Sequence, residues 1–133
     1  KKYNAKVLCS CSEKINANID SQLLREALIN LLENAIKYGD NNSSVTLAVK
    51  EKSNNILIDI GNTGSIIPKK EHDRIFNRFY RVDKSRSKKT GGTGLGLAIV
   101  KHISFVHNGT IEVKKSDEIS TVFRFTLPKN ISN

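Results

Sequence analysis

Leu24, Leu28, Leu31, Leu32 and Ala35 recur at three- and four-residue intervals within residues 22–38, and this apolar stripe constrains the fold more than any other feature of the chain. Such a period predicts a helix with one buried side, which must lie against another apolar surface. Asp20 or Ser21 offers its N-cap and Gly39 its stop. Strands supply the surface. Residues 3–10 and 14–19 read as two short strands joined by a polar turn, and 44–50 and 56–60 as a pair linked by a polar hairpin. Residues 110–115 and 120–127 read as a closing hairpin, and 95–107 as a second long helix ended by Asn108-Gly109. Between 61 and 93 lie mostly loop and short helix around one apolar-aromatic cluster, Ile75, Phe76, Phe79 and Tyr80. The expected fold class is α/β, a two-layer sandwich with a mixed, mostly antiparallel sheet packed on one face by helices.

A chain of 133 residues with 38% apolar and 26% charged residues fits one domain, 1–133, and excludes collagen, a coiled coil and a wholly disordered polypeptide. The last six residues, 128–133, read as a frayed tail. That size supports a core without disulfide or metal staples. Cys9 and Cys11 make neither a four-ligand zinc site nor a disulfide framework, and are expected to be reduced and structural. No apolar run approaches the roughly 20 residues of a membrane span, and no signal peptide is visible. The chain opens at Lys1 without a methionine, so a piece of something longer is expected.

Lys and Arg number 22 against 13 Asp and Glu, a net charge of +9 that calls for an anionic partner. Residues 69–89 hold nine cations and three anions and run directly into Gly91-Gly92-Thr93-Gly94-Leu95-Gly96. A glycine-rich stretch opening a helix is how chains present bare amides to phosphate oxygens. Opposite the leucine stripe of the first helix stand Glu26, Asn30, Glu33, Asn34 and Lys37, within about 100° of one another. Two asparagines four residues apart are poor helix formers, and a merely solvated face is more cheaply built of Glu and Lys. Their carbonyl oxygens suit a hard cation such as Mg²⁺, which keeps most of its waters and takes few protein ligands.

Four segments carry a resemblance. Asn30-Leu31-Leu32-Glu33-Asn34-Ala35-Ile36-Lys37-Tyr38 resembles the asparagine box of sensor histidine kinases. Asn62-Thr63-Gly64-Ser65-Ile66-Ile67-Pro68 resembles their first glycine box, Ile75-Phe76-Asn77-Arg78-Phe79-Tyr80-Arg81 their phenylalanine box, and Gly92-Thr93-Gly94-Leu95-Gly96-Leu97 their second glycine box. The four stand in family order and span nearly all of residues 20–127. The resemblance implies the Bergerat-type sandwich shared with gyrase-type and chaperone-type ATPases.

It also implies roles. Asn34 would bind Mg²⁺, Asn30 and Lys37 would stand near the phosphates, and these three form the catalytic group. Tyr38 would lie against adenine. Asn62, Gly64 and Ile67, then Phe76, Phe79 and Arg81, then Gly92, Thr93, Gly94, Leu95, Gly96 and Leu97 would line the ATP site, with a mobile lid over about 81–93. Two positions depart from the family: Asn62 stands where an Asp usually accepts the adenine amine, and Ile66 replaces a glycine, forbidding φ > 0 there.

The implied activity is a protein-histidine kinase, of which this chain is the catalytic ATP-binding domain. It would transfer the γ-phosphoryl group of ATP to a histidine on a separate helical dimerisation domain. The expected partners are ATP and ADP, that domain and a cognate response regulator, with the isolated domain monomeric and cytoplasmic and the parent membrane-anchored. His72, His102 and His107 lack the acceptor's His-Glu-x-x-Arg-x-Pro context; the last two are expected to be ordinary packing or surface residues. One alternative is an ATP-hydrolysing or serine-kinase relative of the fold. Hydrolysing relatives carry a glutamate where Asn30 stands, and an amide takes no proton at neutral pH. A basic nucleic-acid-binding module is a remote alternative, since no RNA-binding or helix-turn-helix signature is present. No Gly-Lys-Ser/Thr closes a P-loop, and no strand leads straight into the glycines as a dinucleotide fold requires.

Overall fold

A computed structural model describes residues 6–11, 17–40, 43–78 and 95–129. In chain order they form β1 (Lys6–Cys11), α1 (Ser21–Tyr38), β2 (Ser44–Lys52), β3 (Asn55–Asn62), two short 3₁₀ turns at Lys69–Glu71 and Arg74–Phe76, α2 (Gly96–Val106), β4 (Thr110–Ser116) and β5 (Thr121–Pro128). The sheet order is β1-β2-β3-β5-β4, with β1 parallel to β2 and every other pair antiparallel.

Alternation sorts the strand residues onto two faces. Val45, then Ile56, Ile58 and Ile60, then Ile111 and Val113, then Phe123, Phe125 and Leu127 point inward and meet Ala27, Leu31 and Ala35 of α1 and Val100 and Ile103 of α2. Both helices therefore bury their stripes against one side of the sheet. On the other side Arg124 grips Asp59 across the β3–β5 ladder with two hydrogen bonds of 2.8 and 2.9 Å, and Lys114 stands 3.7 Å away. Partial burial raises the Asp59 pKa, but the hydrogen bond and charge of Arg124, with Lys114 and Lys50, outweigh it and hold the carboxyl below its usual range.

Local chemistry explains the boundaries. Asp20 is the N-cap of α1, its carboxylate accepting from the amides of Gln22 and Leu23 at 3.0 and 3.1 Å. The β2–β3 hairpin turns through Ser53 and Asn54, both at positive φ, as a two-residue turn with the hand of the sheet requires. After α2 it is Asn108 that takes the left-handed conformation, while Gly109 is needed for closeness: a Cβ there would strike the Thr126 carbonyl oxygen.

Two expectations need correction. Residues 17–19 are not a strand; Ala17 and Ile19 pack on the core from an irregular segment, tied by Asn18 N–H to the Lys129 carbonyl at 3.3 Å. Their alternation reflects a chain laid across the sheet's end, and β1 pairs with β2 instead. Pro128 belongs to β5, and Lys129 donates its amide to Asn54 and its ammonium to Glu51, each at 2.9 Å, so the expected tail is ordered through 129. Cys9 and Cys11 are free and exposed on the edge strand.

Candidate functional site

The second half of α1 presents Asn30, Asn34, Lys37 and Tyr38, all half-buried. Two backbone hydrogen bonds fasten its end to the loop after β3, from Asp40 N–H to the Thr63 carbonyl (2.6 Å) and from Ser65 N–H to the Tyr38 carbonyl (3.1 Å). Gly39 and Gly64 pair between them as an isolated antiparallel bridge. A Cβ on Gly64 would run into the Tyr38 carbonyl oxygen, and one on Gly39 would come within 2.8 Å of the Ala35 carbonyl oxygen. Glycine at both positions lets two backbones touch, which brings Asn62 beside the end of α1.

Asn62 ends β3 on the inner side of the sheet, paired with Val45 and Thr121. It is 6% exposed, and its side chain forms no hydrogen bond among the described residues. The loop beyond it hangs from the β4–β5 hairpin. Thr121 Oγ1 donates to the Ser65 carbonyl at 3.2 Å and meets Ser116 Oγ at 2.6 Å, while the Ile67 amide donates to Ser116 Oγ at 2.7 Å. A register shift between Val113 and Lys115 puts Ser116 rather than Lys115 opposite Thr121, so a bulge re-aims the hydroxyl this loop needs. His72 Nε2 donates to the Ile67 carbonyl at 2.9 Å and holds the loop from its far side.

The third wall is the start of α2. Leu95 caps it without any side-chain hydrogen bond, so the first amides of the helix have no partner from a capping side chain. Gly96 lies so close to α1 that a Cβ would sit 3.1 Å from Asn30 Oδ1, while Asn30 Nδ2 is occupied by the Glu26 carbonyl at 2.9 Å. Asn30 and Gly96 are thus brought together, as are Tyr38 and Gly64, while Asn34 and Lys37 lie on the same helix as Asn30. Leu97 and Ile67 pack partly on the core at the rim.

Phe76 is different. It is 5% exposed, with its ring edge-to-face on Phe123 at 6.0 Å and the Lys101 ammonium 5.9 Å above it. Core packing claims this ring, because removing apolar area from water outweighs anything it gains at an open cleft. Phe79, Arg81, Gly92, Thr93 and Gly94, and the lid expected over 81–93, lie outside the described residues. Ile66 is half exposed and is not among the positive-φ residues, so losing a glycine there strains nothing.

The profile of the histidine kinase-, DNA gyrase B-, and HSP90-like ATPases matches residues 19–131. The chain belongs to that family. Its relatives place it on the histidine-kinase branch: it is 45% identical over 118 residues to the heme sensor protein HssS of Staphylococcus aureus. It is 43% identical over 110 residues to the sensor-like histidine kinase SenX3 of Mycolicibacterium smegmatis. These alignments cover 89% and 83% of this chain but only 25% and 29% of the relatives. The catalytic domain of histidine kinase ThkA superposes with a TM-score of 0.81 at 26% identity, over 96% of this chain and 80% of that one. This is a histidine-kinase ATP-binding domain on the Bergerat-type fold.

Sequence reasoning missed Thr121 and Ser116. Thr121 had a signal, because it occupies the first inward position of a strand whose next inward residues are Phe123, Phe125 and Leu127. A hydroxyl on a buried face needs a partner. Ser116 had none, since only the bulge turns it inward. His107, expected to be a packing or surface residue, is buried and links the two helices: Nδ1 donates to the Ile103 carbonyl at 2.9 Å, and Nε2 accepts the Asp20 amide at 3.2 Å.

Proposed function

We propose that this domain binds ATP with Mg²⁺ in the cleft between α1, the loop after β3 and the start of α2, and passes the γ-phosphoryl group to a histidine on a separate helical dimerisation domain. The observation that carries the reading is the meeting of an asparagine-lysine helix face, a nearly buried amide and an uncapped helix start in one cleft. Asn62 faces the base, Tyr38 lies against it, and Lys37 and the first amides of α2 meet the phosphates. Asn30 acts as a spacer that sets α1 against Gly96.

The donor set suits Mg²⁺. Asn34 offers a neutral hard oxygen, and no group of three or more His, Cys, Asp or Glu able to hold a metal occurs among the described residues. A cation held by one or two side chains, water and phosphate oxygens fits such a site, whereas a site built only of protein ligands does not. When bound, Mg²⁺ neutralises phosphate charge. The chain's own residues orient ATP and supply fixed dipoles, which is most of what phosphoryl transfer asks of a protein. Asn30 cannot act as a base, which favours transfer over hydrolysis.

No helix among the described residues is long and apolar enough to cross a membrane. The parent would be a membrane-anchored sensor kinase with this domain in the cytoplasm, monomeric in isolation, and would feed a response regulator. The test is to incubate the domain with γ-labelled ATP, then add a separately made acceptor domain of the parent. We expect no label on this chain and acid-labile label on the acceptor, appearing only with Mg²⁺. Acid-labile label on this chain alone would sink the proposal.

A further inference from the structure

The amide of Asn62 is nearly buried and yet not committed to either orientation. No buried side-chain nitrogen or oxygen among the described residues lacks a partner, so an amide without one must open to the cleft rather than into the core. The two hydroxyls beside it are engaged elsewhere: Thr121, its partner across the ladder, serves Ser65 and Ser116, and Thr63 Oγ1 donates to the Ile119 carbonyl at 3.5 Å. Nothing described here holds the group one way round. Its carbonyl can face the cleft and accept, or its NH₂ can face the cleft and donate.

A purine distinguishes those orientations at its 6-position, where adenine carries an amine and guanine or hypoxanthine a carbonyl. Resting on the nucleotide reading above, we propose that Asn62 opens the base subsite to 6-oxopurine nucleotides as well as to ATP, turning its amide to match. A carboxylate in its place could only accept, and it would leave a facing carbonyl unpaired and repelled. A site that can offer both a donor and an acceptor at one point loses that means of rejection.

Inosine triphosphate is the right probe, since it has the 6-carbonyl without the 2-amino group of guanine. Calorimetry of the full 133-residue chain with Mg²⁺ should give ATP and inosine triphosphate affinities within about tenfold of each other. In Asn62→Asp the ratio should widen by roughly five- to 150-fold in favour of ATP, the factor expected when an acceptor is left unsatisfied. A wild-type preference for ATP above roughly 100-fold, or the same ratio in both proteins, overturns the inference while leaving ATP binding intact. Failure of wild type to bind either nucleotide would instead remove the nucleotide reading itself. Should Asn62→Asp not fold, the wild-type ratio decides alone.

Discussion

The two ends of the α1–α2 pair treat polar groups in opposite ways. Where α1 begins and α2 ends, donors and acceptors are matched: Asp20 caps two amides and gives its own to His107, His107 returns its other nitrogen to Ile103, and Gly109 N–H closes on the Ser104 carbonyl at 2.7 Å. Where α1 ends and α2 begins, Asn62 has no side-chain partner and the N-cap Leu95 makes no side-chain hydrogen bond, both among the described residues. The two helices run antiparallel, with Asp20 meeting His107 at one end and Asn30 meeting Gly96 toward the other. The difference teaches where each end's free energy goes. Matched groups stabilise the fold, and unmatched ones remain available to a ligand.

Exchanging the characters of the two ends should break that comparison. The largest effect is expected from Asn34→Ala, which removes a hard oxygen from the open end. Mg²⁺-dependent phosphotransfer to an added acceptor should fall at least about 100-fold, typical of a lost electrostatic partner in the transition state. Melting temperature should hardly move. Unchanged transfer by a folded protein would reassign the metal ligand.

His107→Ala should do the reverse. It leaves the Asp20 amide without its partner and a cavity between the helices, at a cost of about 2–3 kcal/mol in urea denaturation. ATP affinity of the protein that remains folded should stay within about twofold, a difference of about 0.4 kcal/mol. A large loss of affinity with intact stability would show that the closed end is part of the site.

Gly64→Ala sharpens the comparison at the hinge between strand and helix. Its Cβ must push the Tyr38 carbonyl away, separating Asn62 from α1, so ATP affinity should drop roughly tenfold, or about 1.4 kcal/mol. Equal affinity would mean that the bridge does not set the cleft's width.

The smallest effect belongs to the sheet face remote from both ends. The folded Asp59 pKa lies below its unfolded value, so the contribution of its pairing is fully present above the unfolded value. It is lost as pH falls through the lower folded value. Arg124→Gln should cost about 1 kcal/mol near neutral pH and flatten the stability curve below about pH 5, with nucleotide affinity unchanged. An acid limb of unaltered steepness would place the titration elsewhere.

Much of the proposed site rests on residues that are close in sequence. Asn30, Asn34, Lys37 and Tyr38 share a helix whose period displays them together, and the glycines announce themselves by type. Phe76 stands in a recognisable segment, but nothing local tells that its ring packs edge-to-face on another aromatic. Only the position of Phe123, far along the chain, decides that.

The chain alone determined both long helices, a cap at Asp20 or Ser21, the two hairpins and the order of the family's segments, since each rests on periods and turn residues within a few positions of one another. Tertiary structure decided the rest. It made β1 a parallel edge strand beside β2, turned Ser116 inward through a bulge, joined His107 to Asp20, and left the Asn62 amide open in a nearly buried place. Each of these depends on pairing between residues remote in sequence, where register and burial, not local propensity, set which polar groups find partners and which stay free for a ligand.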